Sequence, residues 1–557
     1  MYCYNCGSRI EPNDHFCAHC GVCLGDEETP RRLASKYFDI EIADVKGDSP
    51  TDEGYVLTDS LRLAERLSTN VQTIKSVLEE FVSIRATEGV RYNVLDLHVS
   101  ERQNGISWQE CQRFLTIRYH QDLNSGKRPV YLFIIGGDDI IPMPTLPLKI
   151  NNDDTVDSDL PYAYLYGAAT EEGLLNLGVF ERQIMLLVGR LPVAQDALLA
   201  DFINMLNNAL YAGYRGLPRH AMHAQCDPNW KVITRQVTRG FEPYLPCNEA
   251  NTDYYYGPIM LTPQFEPTTP AFQQSFPYKE ADIFYYNLHG TNLHGVDNFA
   301  GYTYQGGTSQ RALCPRNMAA VANLNIVVTE ACYGGWFKQS IYNSQSKKKE
   351  ETILLSSLNA RTVSYLGSSR VAYGNTDKQS QNGLLAADIL AHHFLSYLYQ
   401  GYTAGEAMHA SKIDMLNIPR NVEGTRITVL EFNLFGDPSL YVDTHGLRKD
   451  SGDSAYARKA ETARTHFSVE YEESKSGGLL ETVRRLVDHN FKEIDQYLQR
   501  YLYDMWNIEK CALQRVVKAS PKAGVGETAY LYLTDNGSIS VVTNSESHKV
   551  TCCLFEK

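Results

Sequence analysis

The sequence predicts an α/β protein, a mainly parallel sheet sandwiched by helices, preceded by a small cysteine-rich ribbon and followed by a small α+β module. Three observations carry that expectation. From about Leu57 to Val442, short apolar runs alternate with stretches of helical periodicity, the pattern of strands covered on both faces. Two C-x-x-C pairs stand at Cys3–Cys6 and Cys17–Cys20, in a segment too short to fold on a core of its own. A charged, small-residue-rich stretch at Thr444–Thr465 then precedes a segment with its own helix and hairpin signals.

The chain has 557 residues, which at about 150 residues per domain suggests three or four units. The boundaries read as a ribbon over 1–26, a linker over 27–56, the main domain over 57–445, a second linker over 446–465 and the last module over 466–557. Apolar residues make up 43% and charged residues 21%, enough for a large core and too little charge for a disordered chain. A net charge of −14 excludes a general binder of phosphate backbones, so direct nucleic-acid contact is not expected. No run approaches the roughly 18–20 consecutive apolar residues of a membrane span. The start, Met1-Tyr2-Cys3-Tyr4, lacks the basic and apolar regions of a signal peptide. Thirteen cysteines form an odd number, five of them before residue 24; this suits a reducing, cytoplasmic setting with thiolates on metal rather than in disulfides.

In the ribbon, Cys3, Cys6, Cys17 and Cys20 can complete a tetrahedral four-sulfur site, the preferred structural geometry for Zn2+. Gly7 and Gly21 follow the two pairs, where tight turns need a permissive backbone. Cys23 and His15 are alternative ligands, and free or redox-active thiols are the other reading. The segment is similar to zinc ribbons at the ends of many microbial proteins. A closed four-sulfur site leaves no open position for chemistry, so it reads as structural or as a docking module.

Within the main domain, Leu61–Ala86 has helical spacing, Tyr92–His98 alternates like a strand and Trp108–Gln121 is helical again. Val130–Ile135 and Ile184–Val188 are continuous apolar runs ending in Gly136-Gly137 and Gly189. A helix is expected over Asp196–Ala212 with Asp196 as N-cap. Ile283–Leu288 ends in His289-Gly290, Ile326–Thr329 in Glu330-Ala331-Cys332, and Thr362–Leu366 in Gly367-Ser368-Ser369. A single parallel sheet would bring all these turns to one carboxyl-terminal edge, where function gathers.

His289 and Cys332 are the residues of interest there. A cysteine nucleophile needs a base to hold it as thiolate and donors for the oxyanion it creates. Two neighbouring strands would bring both side chains to one rim, with the N–H groups of Gly290 and Cys332 as oxyanion donors. Taken singly, each feature has a plain structural reading: a cysteine after a strand is often a small buried residue, and His-Gly is often a turn. Their order, each at a strand end, favours chemistry. The carboxylate that orients His289 is not legible; Glu330 and Asp282 stand near in sequence and read as structural partners.

The region resembles the caspase–gingipain clan of cysteine peptidases, and the gingipain family most. The resemblance lies in Leu288-His289-Gly290 and Glu330-Ala331-Cys332-Tyr333-Gly334-Gly335, in Ile134-Ile135-Gly136-Gly137-Asp138, in Ser158-Asp159 with Tyr162, in Val188-Gly189-Arg190, in Val363–Arg370 and in Phe435-Gly436-Asp437-Pro438-Ser439-Leu440. It implies a caspase/gingipain-like sheet, His289 as general acid/base, Cys332 as nucleophile, and no cofactor for the reaction. It also implies that Asp159 lines a pocket for Arg or Lys before the scissile bond, with Ser368 and Ser369 on the strand beside the cleft. Against that, Asp159 stands among Asp153, Asp154 and Asp157, a run that can equally be a solvated loop or a cation site.

Asn343–Glu350 reads as an exposed loop, with self-cleavage at Lys347–Lys349 as the sharper hypothesis. In the last module, Leu479–Leu502 is strongly amphipathic, and Thr528–Leu533 and Ser538–Val542 flank the turn Asp535-Asn536-Gly537, with a third strand at Lys549–Phe555. The expected function is a cytoplasmic cysteine endopeptidase acting on protein substrates after Arg or Lys, gated by a regulatory protein partner in microbial, for instance antiviral, defence. The rival is a catalytically silent adaptor that binds partners through the ribbon and the last module.

Overall fold

The computed structural model of the chain describes residues 36–38, 52–97, 106–150, 153–163, 186–215, 222–239, 252–256, 281–293, 296–302, 309–316, 318, 325–340, 343–377, 384–416, 422–442, 512–518, 527–534, 537–544 and 549–556. The four ribbon cysteines and the amphipathic segment Leu479–Leu502 lie outside these residues.

The chain enters with β1 (Asp52–Thr58), α1 (Ser60–Arg66), α2 (Val71–Thr87), β2 (Val90–Asp96), α3 (Trp108–Asn124) and β3 (Pro129–Ile135). The single helix expected over Leu61–Ala86 is two, because Ser68 takes a positive φ of 51° and Asn70 caps α2 through its side chain. A hairpin of β4 (Thr145–Ile150) and β5 (Asp153–Asp157) follows, then the short α4 (Leu160–Ala163), β6 (Leu187–Leu191), α5 (Leu199–Arg215), β7 (Met222–Cys226), α6 (Lys231–Arg239) and β8 (Thr252–Tyr256). Asp196 lies outside α5; Asp201 accepts the Leu198 N–H instead.

Next come β9 (Ile283–Asn287), a three-stranded sheet of β10 (His289–Leu293), β11 (Val296–Tyr302) and β12 (Ser309–Leu313), then β13 (Asn325–Thr329) and a hairpin of β14 (Lys338–Ser340) and β15 (Asn343–Ser346). The domain closes with α7 (Ile353–Ala360), β16 (Thr362–Ser368), α8 (Ala387–Tyr399), α9 (Ala404–Leu416), α10 (Val422–Glu431) and β17 (Phe432–Gly436). In the last module, β18 (Ala512–Lys518), β19 (Glu527–Thr534), β20 (Gly537–Asn544) and β21 (Lys549–Glu556) form an antiparallel sheet in that order. β18 is a strand the sequence did not suggest.

Ten strands make the main sheet, in the order β2-β1-β3-β6-β17-β16-β13-β9-β7-β8. Every neighbouring pair is parallel except β16 and β17. The sheet is therefore two parallel blocks of opposite direction, joined at one antiparallel seam. This corrects the single edge expected from sequence: the turns after β3 and β6 face the other way from those after β9, β13 and β16.

Alternate residues feed different cores, as a two-residue pleat requires. Phe284, Tyr286 and Val327 join the core of α2, α5 and α7, whereas Ile283, Tyr285, Ile326 and Val328 join that of α8, α9 and α10. In α2, Ile74, Val77, Leu78, Phe81 and Ile84 are buried at helical spacing, and the Phe81 ring meets Phe133 of β3 at 6.1 Å. The closing motif is held by charge: Asp437 accepts from the Tyr92 hydroxyl at 2.6 Å and pairs with buried Arg85 at 3.1 Å.

Candidate active site

Strands β7, β9, β13 and β16 run the same way, and the turns that follow them converge on one rim. The Glu330 N–H donates to the Tyr286 carbonyl at 2.9 Å, tying the ends of β9 and β13 together. A tight turn follows: Ala331 N–H donates to Thr329 Oγ1 at 3.1 Å and Gly334 N–H to the Ala331 carbonyl at 3.0 Å. Tyr333 sits at φ 58°, uncommon for a residue with a side chain. Its N–H donates to the Arg370 carbonyl and that of Gly335 to the Ser368 carbonyl, both at 2.7 Å. The turn is thereby bonded to the end of β16.

Cys332 occupies this turn, half-buried, with its sulfur 3.9 Å from the Ala372 carbonyl. Burial pushes the thiol above its ordinary range; backbone groups of Ala372, Gly290 and Cys332 itself work in the other direction. Gly290 lies directly against this turn. A Cβ there would overlap the Cys332 carbonyl and come within 2.8 Å of its nitrogen, so only glycine fits. The two residues expected to supply oxyanion donors are thus in backbone contact.

His289 precedes Gly290 and opens β10, with 41% of its side chain exposed. Its Nε2 faces Asp227 Oδ2 at 3.9 Å, and the Asp227 side chain is wholly buried. Burial lowers the imidazole below its ordinary range, and the Asp227 charge raises it. The Trp230 ring lies 4.4 Å from the imidazole, and the Tyr302 ring stands edge-on at 5.7 Å.

Asp227 is the residue that sequence reasoning missed. It directly follows β7 and caps the short turn Pro228–Trp230. Its Oδ1 accepts from the N–H and side-chain amide of Asn229 at 2.8 and 2.7 Å, and its Oδ2 accepts from Tyr302 N–H at 2.6 Å. Its own N–H donates to the Asn287 carbonyl at 3.0 Å, fixing it beside the end of β9. The dipeptide Asp227-Pro228 is a turn-capping signature, but Met222-His223-Ala224-Gln225-Cys226 is too polar to read as a strand, so its end went unmarked. Glu330 and Asp282, the carboxylates nearer in sequence, have other places: Glu330 is buried against the Tyr285 hydroxyl and Asp388, and the Asp282 carbonyl accepts the Ile326 N–H.

The expected pocket residues have partners within the protein. Asp159 has both oxygens on Arg190, from Nε at 2.8 Å and Nη2 at 2.6 Å, and Arg190 is fully buried. That bidentate pair is internal and commits the carboxylate to the fold rather than to a substrate cation. The Ser368 hydroxyl donates to the Arg370 carbonyl at 2.9 Å and the Ser369 hydroxyl to the Asp157 carbonyl at 2.6 Å, so both serines hold neighbouring backbone in place. Within the acidic run, Asp157 is not solvated. Asp157 is buried in β5, paired with Lys338 at 2.9 Å and Arg370 at 2.7 Å.

The stretch expected to be an exposed loop is likewise tied down. Lys347 donates its N–H to the Phe337 carbonyl at 2.8 Å and accepts from Gln195 N–H at 2.9 Å. Its ammonium pairs with Asp297 at 2.9 Å, over the Trp336 ring. Lys349 donates its N–H to Asp196 at 2.9 Å and pairs with Asp201 at 2.7 Å.

A half-buried thiol and an imidazole that follow adjoining strands of one α/β sheet are the make-up of a cysteine peptidase. The profile of peptidase family C25 matches residues 64–443, and the chain belongs to that family. It is a cysteine endopeptidase, and its substrates are proteins. No curated protein matches the chain. Among solved structures, an Arg-specific cysteine proteinase, gingipain R, is 13% identical with a TM-score of 0.46, covering 72% of this chain and 80% of its own. A structure described as a protease is 12% identical with a TM-score of 0.42, covering 92% and 99%. A separase–securin complex from Saccharomyces cerevisiae is 12% identical with a TM-score of 0.27, covering 48% and 15%. The family assignment rests on the profile match. Among the described residues no helix is long and apolar enough to cross a membrane.

Proposed function

We propose that Cys332 is the nucleophile of this endopeptidase and His289 its general acid/base, with Asp227 stabilising the imidazolium. The Cys332 thiolate attacks the peptide carbonyl carbon; a C–S bond forms and the carbonyl π pair moves to oxygen, facing the N–H groups of Gly290 and Cys332. Protonated His289 gives its proton to the amine as the C–N bond breaks. Water then attacks the thioester, His289 takes its proton, and the C–S bond breaks to regenerate the thiolate. The single observation that supports the reading is the packing of Gly290, the residue after His289, on the Cys332 backbone. An intact rim of this kind also counts against the silent-adaptor alternative.

The test is cleavage of fluorescently labelled casein by the full chain beside Cys332→Ala and His289→Ala. Loss in both supports the assignment; activity retained in Cys332→Ala ends it. The preference for Arg or Lys rested on Asp159, whose carboxylate is engaged by Arg190, so the proposed substrate class is given as protein chains without a fixed residue before the scissile bond. For the ribbon, a donor set of four thiolates in two C-x-x-C pairs fits structural Zn2+ on Cys3, Cys6, Cys17 and Cys20. One zinc per chain, lost in Cys3→Ser with Cys6→Ser, is the expected metal analysis.

A further inference from the structure

We propose that Trp230 is a positioning residue for proton transfer: its indole is a wall that holds the His289 imidazole between Asp227 and Cys332 and presents its π-face to the imidazolium. This rests on the Cys332–His289 reading above. The ring centroids lie 4.4 Å apart with the planes at 52°, nearer than the edge-on Tyr302 ring at 5.7 Å. A carboxylate at 3.9 Å is beyond direct hydrogen-bond reach, and an imidazole 41% exposed has room to rotate. The two rings supply the restraint that the carboxylate does not.

The indole is rigidly mounted. Trp230 N–H donates to the Asp227 carbonyl at 3.0 Å, so one short turn supplies both the charge and the wall. The helix that follows, α6, is pinned at its start by Asp377, whose Oδ1 accepts from Val232 N–H at 2.8 Å and Ile233 N–H at 3.2 Å. Asp377 in turn lies on the segment that leaves β16 and passes the Cys332 sulfur at Ala372. The wall is therefore braced from the nucleophile side of the rim. Among the described residues, the titratable groups that contact the imidazole are Asp227 and the Tyr302 phenol; Lys231 follows Trp230 in the chain, and the Cys332 thiol lies beyond the Gly290 contact.

The test needs no substrate. The rate of Cys332 alkylation by iodoacetamide is followed from acid to alkaline pH in the full chain, with peptide mass spectrometry reporting that one thiol among the chain's 13. Trp230→Leu keeps an apolar cover but removes the π-face; Trp230→Phe keeps a ring. If the proposal holds, the Leu variant is alkylated roughly two- to fivefold more slowly on the acidic limb, the size of a partly exposed cation–π contact, and the Phe variant recovers most of that. Thermal melting of both variants at the wild-type midpoint separates positioning from loss of fold. A Leu profile that superposes on wild type, or a Phe variant as slow as Leu, overturns the proposal. A His289→Ala profile identical to wild type is a different failure: it removes the thiolate–imidazolium pair itself, whatever the Trp230 variants do.

Discussion

The Asp227 carboxylate faces His289 Nε2 across 3.9 Å while its other contacts, to Asn229 and Tyr302, hold it rigid. It acts on the imidazole as a fixed charge. Because that charge raises the imidazole against the lowering by burial, Asp227→Asn is expected to move the His289 titration to lower pH. Activity should fall about ten- to a hundredfold, at or below the lower end of what a positioned acid–base group contributes. An NMR titration of the imidazole with a pH–rate profile checks both; an unmoved midpoint with full activity would show the carboxylate to be structural.

Gly290→Ala places a methyl group on the Cys332 carbonyl. The turn must shift, and with it one of the two N–H donors. We expect cleavage to fall by about a hundredfold or more, the usual cost of one oxyanion donor, with a lower melting temperature. Casein turnover and thermal melting report the two effects separately.

Asp159→Asn leaves the buried Arg190 guanidinium without its bidentate partner. Breaking a buried pair from one side costs about 3–5 kcal/mol, so the variant should melt well below wild type. Its relative cleavage rates after Arg, Lys and other residues should be those of wild type. A selective loss after basic residues in a peptide library would restore Asp159 to the substrate pocket.

Lys347 and Lys349 are basic but engaged through backbone and side chain alike. Trypsin should therefore cut the native chain elsewhere first, since cleavage here requires local opening. Peptide mapping over a digestion time course checks this. Early cuts after Lys347 or Lys349 would revive self-processing.

Glu330 and Asp388 form a buried carboxyl pair behind the nucleophile turn, and Asp388 also accepts from Asn375 N–H at 2.8 Å and Leu385 N–H at 3.0 Å. Burial raises both: Glu330 well above its ordinary value, Asp388 to about 6. Raised carboxyls favour the folded state most when protonated. For Asp388 that contribution is complete below the unfolded value of about 4 and is lost as pH climbs through about 6; for Glu330, raised further, it persists to higher pH. Asp388→Asn should therefore flatten the decline in melting temperature between those limits; a decline as steep as in wild type would count against the pair.

Sequence alone singled out two dipeptides for the candidate site, His289-Gly290 and Ala331-Cys332, because apolar strands announce their ends when glycine follows. It also gave the α/β alternation and three of the four strands of the last module. It could not reach Asp227, whose strand carries His223 and Gln225 among its five residues. Nor could it see the reversal at β16 and β17, since apolar periodicity is blind to strand direction. For Asp159 the limit is related: a motif position fixes a residue in a chain, but only packing tells that Arg190 meets its carboxylate.

The reversal at the seam bears on how the protein is made. β17 pairs with both β6 and β16, yet it is the last strand of the domain to be synthesised. Until Phe432–Gly436 leaves the ribosome, each half of the sheet keeps a raw inner border of unpaired backbone. Nascent chains cut short before that point would carry two adhesive edges, natural clients for chaperones and natural seeds for aggregates.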